Sequence, residues 1–77
     1  MDVMGEAIAV DNDEAVIIDQ TTSATYTYIC AALPGSATSE ARWKCSRITV
    51  ATGILQWADG NNKYDNIADN RASLTYS

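Results

Sequence analysis

The residues of this chain that could do chemistry are two cysteines, two clusters of acids and amides, and many hydroxyls. Cys30 and Cys45 suit a disulfide or a pair of packed thiols, but no paired CxxC is present to frame a metal or a redox site. Asp11-Asn12-Asp13-Glu14 and Asp59-Gly60-Asn61-Asn62 with Asp65 carry oxygen ligands that would suit calcium. Neither stretch has the EF-hand order, with glycine sixth and a bidentate glutamate twelfth. Asp and Asn are also the common residues of β-turns, and a turn is the expected role of both. There is no histidine. Acid–base work at neutral pH would then need a carboxylate or lysine with a strongly shifted pKa, for which a small sheet offers little dry interior. No serine or threonine has an identifiable base, and neither a nucleophile elbow nor a phosphate-cradling loop occurs. The expectation is a protein that is not an enzyme, with no cofactor and no metal.

Charge and length narrow the partners. Ten acidic and five basic residues give a net charge of −5, which opposes binding to a phosphate backbone. The bases Arg42, Lys44, Arg47, Lys63 and Arg71 are scattered, so no nucleic-acid partner is expected. No apolar run approaches the roughly 18 residues of a membrane span, so no membrane partner is expected either. The opening Met1-Asp2-Val3-Met4-Gly5-Glu6 carries acid where a signal peptide carries base, so synthesis in a cytoplasm is expected. With 77 residues there is room for one domain whose own core is marginal, and a protein partner becomes the default expectation.

The elements read as mainly β. Residues 1–6 suggest a loose arm, and 7–77 a single small domain. Ile8 to Val10 fits a short strand and Ala15 to Ile18 a β-branched one. Segments 25–33, 42–50 and 54–58 alternate and predict a three-stranded meander. A loop around Leu33-Pro34-Gly35 and a two-residue turn at Thr52-Gly53 join them. One helical turn over 64–70 and a short strand over 72–76 complete an all-β fold, a small antiparallel sheet or sandwich.

Register follows from the turns. A symmetric loop at 34–41 makes facing residues sum to 75, so Tyr28 faces Arg47, Ala32 faces Trp43 and Cys30 faces Cys45. A two-residue turn at Thr52-Gly53 makes Ile48 face Trp57 and Val50 face Leu55. Alternation then places Thr27, Ile29, Ile48, Val50, Leu55 and Trp57 on one face. This face is apolar, and its expected core residues are Ile29, Ile48, Val50, Leu55 and Trp57. The opposite face, with Cys30, Cys45 and Gln56, holds the interface candidates Tyr26, Tyr28, Trp43 and Arg47, a composition favoured at interface centres. It either lies against other strands of the same domain or faces a partner. The opposed cysteines are either reduced thiols filling space or a cross-strand disulfide. The bond is favoured, since closing such a loop stabilises by around 3 kcal/mol in the chain-entropy model.

From Thr25 to Ser77 the sequence resembles a group of short structural proteins of tailed bacteriophages. The shared features are Tyr28-Ile29 leading into Ala32-Leu33-Pro34-Gly35, then Trp43 with Arg47-Ile48, then Ala58-Asp59-Gly60-Asn61, and finally Arg71-Ala72-Ser73-Leu74-Thr75-Tyr76. The resemblance implies a virion or virion-assembly role and does not imply a catalytic activity. Cys30 stands where such sequences tend to have glycine, and Cys45 where they tend to have a β-branched residue, which supports the pairing. Ala68 replaces a bulky aromatic. The expected function is an accessory capsid, neck or tail component, present in many copies and docked on a larger phage capsid or tail protein. Its expected location is the virion. The alternative is a phage-encoded, host-directed inhibitor whose acidity suits a basic target.

Overall fold

The computed structural model describes residues 14–77. The arm expected at 1–6 and the strand expected at 8–10 lie outside the described residues. Five strands follow in chain order: β1 (Ala15–Asp19), β2 (Tyr26–Ala32), β3 (Ala41–Thr49), β4 (Leu55–Trp57) and β5 (Asn66–Ile67). A 3₁₀ helix over Ala68–Ser73 comes last. The long strands form where β-branched and aromatic residues are dense, and they stop at small polar residues and turn formers.

The protein is all-β, as expected. Strands β1 to β4 form one antiparallel meander in sequence order, and β5 pairs with the beginning of β3. The turn after β2 uses Pro34-Gly35, with Gly35 at φ 89° and Ser36 N–H donating to the Leu33 carbonyl at 3.2 Å. Only a residue tolerant of the left-handed region suits that position.

Between β2 and β3 the pairing is the one expected, with Tyr28 opposite Arg47 and Cys30 opposite Cys45. Between β3 and β4 it is shifted by two residues. Ser46 faces Trp57 and Ile48 faces Leu55. The reason is a longer connection: the N–H groups of Thr52 and Gly53 both donate to the Thr49 carbonyl, and Thr49 N–H donates to Ile54 O at 3.0 Å. That is a four-residue loop ending on Gly53 at φ 74°. A shift of two preserves parity, so each residue keeps its expected face.

The core, however, is on the opposite face from the one expected. Tyr28, Cys30, Ala32, Trp43, Cys45, Ala58, Ala68 and Tyr76 form the buried cluster. Of the expected core residues, Val50 is 59% exposed and Leu55 44% exposed. Ile29, Ile48 and Trp57 are only partly buried. The interface candidates Tyr28 and Trp43 are buried, and Tyr26 and Arg47 are partly buried beside them. The cause is the segment after β5. Its Ala68, Leu74 and Tyr76 pack on the Tyr28–Cys30–Cys45 side, which small Ala32 and Ala58 let it approach closely. The indole N–H of Trp43 donates to Ala37 O at 3.0 Å, which satisfies its polar atom inside the core.

Candidate functional site

Three features stand out: a thiol pair, a polar latch and an uncovered apolar face. Cys30 and Cys45 are both fully buried free thiols, so the expected disulfide is not formed in the structure. Their geometry nevertheless suits one. Ala58 N–H donates to Cys45 O at 2.9 Å, so the Cys45 backbone turns toward β4 and away from β2. Cys30 and Cys45 are therefore a non-hydrogen-bonded pair, the close kind with Cα atoms about 4.5 Å apart, inside the disulfide range. The hydrogen bond shared with Cys30, followed by burial, pushes the Cys45 thiol far above its ordinary range. Cys45 therefore supplies little thiolate, while the hydrogen bond shared with Cys45 draws the Cys30 thiol below its ordinary value.

The latch joins the two ends of the described chain. Asp19, at the end of β1, accepts from the Thr21 N–H at 3.0 Å, the Thr22 N–H at 3.1 Å and the Thr22 hydroxyl at 2.6 Å. Arg71 Nε donates to the same carboxylate at 2.9 Å and Arg71 Nη1 to Ala68 O at 3.0 Å. The Thr22 hydroxyl, the two backbone N–H groups and Arg71 together hold the Asp19 carboxyl far below the usual carboxylate range. The Tyr76 phenol donates to Arg71 O at 2.7 Å, and burial pushes its pKa up. Arg47 sits 4.0 Å from the Tyr26 ring centre and 4.9 Å from that of Tyr76, and gives two hydrogen bonds to Gln56. These groups are engaged with one another, an arrangement that holds structure together.

The third feature is the other side of the sheet. Val16 and Ile18 of β1, Ile29 of β2, Ile48 of β3 and Leu55 and Trp57 of β4 lie in register there. Val16 is 54% and Ile18 64% exposed. Among the described residues no second layer of strands lies over this side, although Glu14 and Tyr64 meet Lys44 there and Ala31 and Ser46 are buried within it. The backbone pattern also leaves an edge that no described residue pairs. Cys30 turns its backbone toward β1, so Ile17 bonds inward and Val16 and Ile18 aim their N–H and C=O groups outward. The edge of β4 is instead closed by Ser77, whose N–H and carbonyl both bond Trp57.

Around the Asp59–Asp65 stretch, Asp59 takes φ 57° in a turn and Asn61 accepts from its own near backbone, Lys63 N–H, at 2.9 Å. The turn role expected there is the one observed. Among the described residues no group of three or more potential metal ligands comes together, and no helix is long and apolar enough to cross a membrane. No protein-family model matches the chain, and no curated protein or solved structure matches it either. Sequence reasoning missed the Asp19–Arg71 latch. Its local signal was present: an aspartate followed by two threonines is a carboxylate ready to cap its own turn.

Proposed function

We propose that this chain is a non-enzymatic structural component of a tailed-phage particle, an accessory capsid, neck or tail protein present in many copies. The observation that carries an assembly role is the side of the sheet that no second layer of described residues covers, which is more aliphatic than the core itself. A sheet of this kind gains stability when its apolar face and free edge are covered. The residues behind the phage resemblance are structural ones here: Pro34-Gly35 and Asp59-Gly60 make turns, Trp43 and Tyr76 fill the core, and Arg71 closes the latch. That supports a shared fold, and the virion role follows from the resemblance. The larger virion protein docks through the free β1 edge, with Val16 and Ile18 supplying the backbone groups. Docking through Tyr28 and Trp43 is withdrawn, since both are interior.

The cysteine pair fits the same life history. Made in a reducing cytoplasm, it stays as two thiols. Outside the cell, dioxygen removes two electrons and two protons from the pair and the sulfurs join. Because both sulfurs are buried, closure waits on a local opening of the sheet.

Quantitative mass spectrometry of purified virions tests the function. The expected result is the chain in many copies per particle. Abundance confined to infected-cell lysate would defeat the structural role and favour the host-directed inhibitor.

A further inference from the structure

We propose that the open face of the four-stranded sheet is an interface between two copies of this chain, packed face to face as the two layers of a β-sandwich. This does not rest on the phage reading, since it concerns only the isolated chain in solution.

Charge points to a second copy. The protein carries a net charge of −5, so two copies repel wherever their carboxylates meet. On the open face, the strand residues contribute no carboxylate. Asp19 turns to the opposite face and is bound by Arg71. Asp69 lies on the 3₁₀ helix that covers that opposite face. Lys44 of β3 lies on this face opposite Ala31, where it is matched by Glu14 at 3.8 Å and lies 5.0 Å from the centre of the Tyr64 ring, whose hydroxyl donates to Glu14, so the charge there is paired within each copy. Arg42 is matched by Glu40 at 3.6 Å. Among the described residues this is the broad surface on which two such acidic chains can meet without opposing like charges.

Area points the same way. Val16, Ile18 and Leu55 leave about half their surface in water, and Ile29, Ile48 and Trp57 a smaller share. The face therefore exposes on the order of 500 Å² of apolar surface, the size of a functional patch, and two such faces reach the roughly 1,000 Å² that a specific interface needs. The interior already described is built of small and aromatic residues, so the second layer supplies the aliphatic core that one copy lacks. Ser46 does not spoil this, because it is 3% exposed and its hydroxyl bonds Ile29 O within the sheet.

Sedimentation velocity on the full chain from micromolar to millimolar concentration tests the proposal. The expected result is a concentration-dependent dimer. Acrylamide quenching of Trp57 should fall in step, while Trp43, buried in each copy, contributes no change. Leu55→Glu and Ile18→Glu, at opposite margins of the face, should each weaken dimerisation at least about tenfold by placing carboxylates in an apolar contact. Circular dichroism checks that both variants stay folded, as their exposure predicts. A wild-type chain that is monomeric at every concentration would overturn the proposal, and would assign the face to residues 1–13 or to a different protein. A dimer that survives Leu55→Glu would also overturn it, because pairing through the distant β1 edge needs nothing from Leu55.

Discussion

Exchanging the roles of the two tryptophans is the sharpest test of where the core lies. Trp43 is 2% exposed and donates to Ala37 O, whereas Trp57 is partly exposed on the open face. Removing a buried Trp side chain costs about 3–5 kcal/mol in lost transfer energy and cavity. The Ala37 carbonyl also accepts from the Glu40 N–H at 3.0 Å and sits in an exposed loop, so it keeps a partner and the lost hydrogen bond adds only about 0.5–1.5 kcal/mol. A chain of 77 residues has roughly 4–12 kcal/mol of stability in total. Trp43→Ala should therefore give up a large share of that stability and unfold at much lower urea than the wild type. Trp43→Phe keeps most of the packing, loses the hydrogen bond, and should cost about 1–2 kcal/mol. Trp57→Ala should cost about 1 kcal/mol, the ordinary penalty at a half-buried site. Urea titrations followed by circular dichroism, at low micromolar protein so that association does not contribute, measure all three. A folded Trp43→Ala beside an unfolded Trp57→Ala would refute this placement of the core.

Acid should loosen the latch: because its folded-state pKa is depressed, Asp19 contributes stability that is fully present above its unfolded value near pH 4 and is lost as pH falls below it. Melting temperatures followed from neutral pH into the acid range should fall less steeply for Asp19→Asn than for the wild type, and parallel curves would contradict the assignment. The buried cysteines should resist alkylation in the native reduced protein and react promptly in denaturant, a contrast that mass spectrometry reads directly. Fast native labelling of both would mean the pair is not interior. Once oxidised, the chain should gain around 3 kcal/mol against urea, and lose it again on reduction.

The meander was legible because its signals are local. Pro34-Gly35 marks the end of β2, and the symmetric loop it begins fixes Cys30 against Cys45. The β3–β4 turn was misread because Thr52-Gly53 resembles a two-residue hairpin, while Gly53 is the last residue of a longer loop. That error moved partners without moving faces. The choice of buried face failed for a deeper reason. Counting aliphatic residues favours the side of Ile29, Ile48 and Leu55, and local alternation offers nothing against it. What decides is a distant segment, 68–76, anchored by polar groups: Asp19 to Arg71 and Tyr76 to the Arg71 carbonyl. Polar anchors of this kind leave no hydrophobic period to read. The small residues Cys30, Ala32, Cys45 and Ala58 along one side were the available trace, since only a closely approached face needs them.

The Asp19–Arg71 contact spans 52 positions of the chain, and this sets the order of events as the chain is made. The β2–β3 hairpin joins neighbours in sequence and can form as soon as residue 49 is free of the ribosome. Its small-residue side then stays wet until Arg71 and Tyr76 emerge, because nothing earlier among the described residues covers it. Closing so long a loop costs only slightly more entropy than closing a short one, but it delays the step that rewards it. Folding is thus expected to be fast in the hairpin and to wait at the latch, with both sides of the sheet exposed in the interval. An aggregation-prone interval of this kind lengthens when the latch fails to close, so Arg71→Ala should lower the yield of soluble protein on refolding more than the exposed Arg42→Ala does.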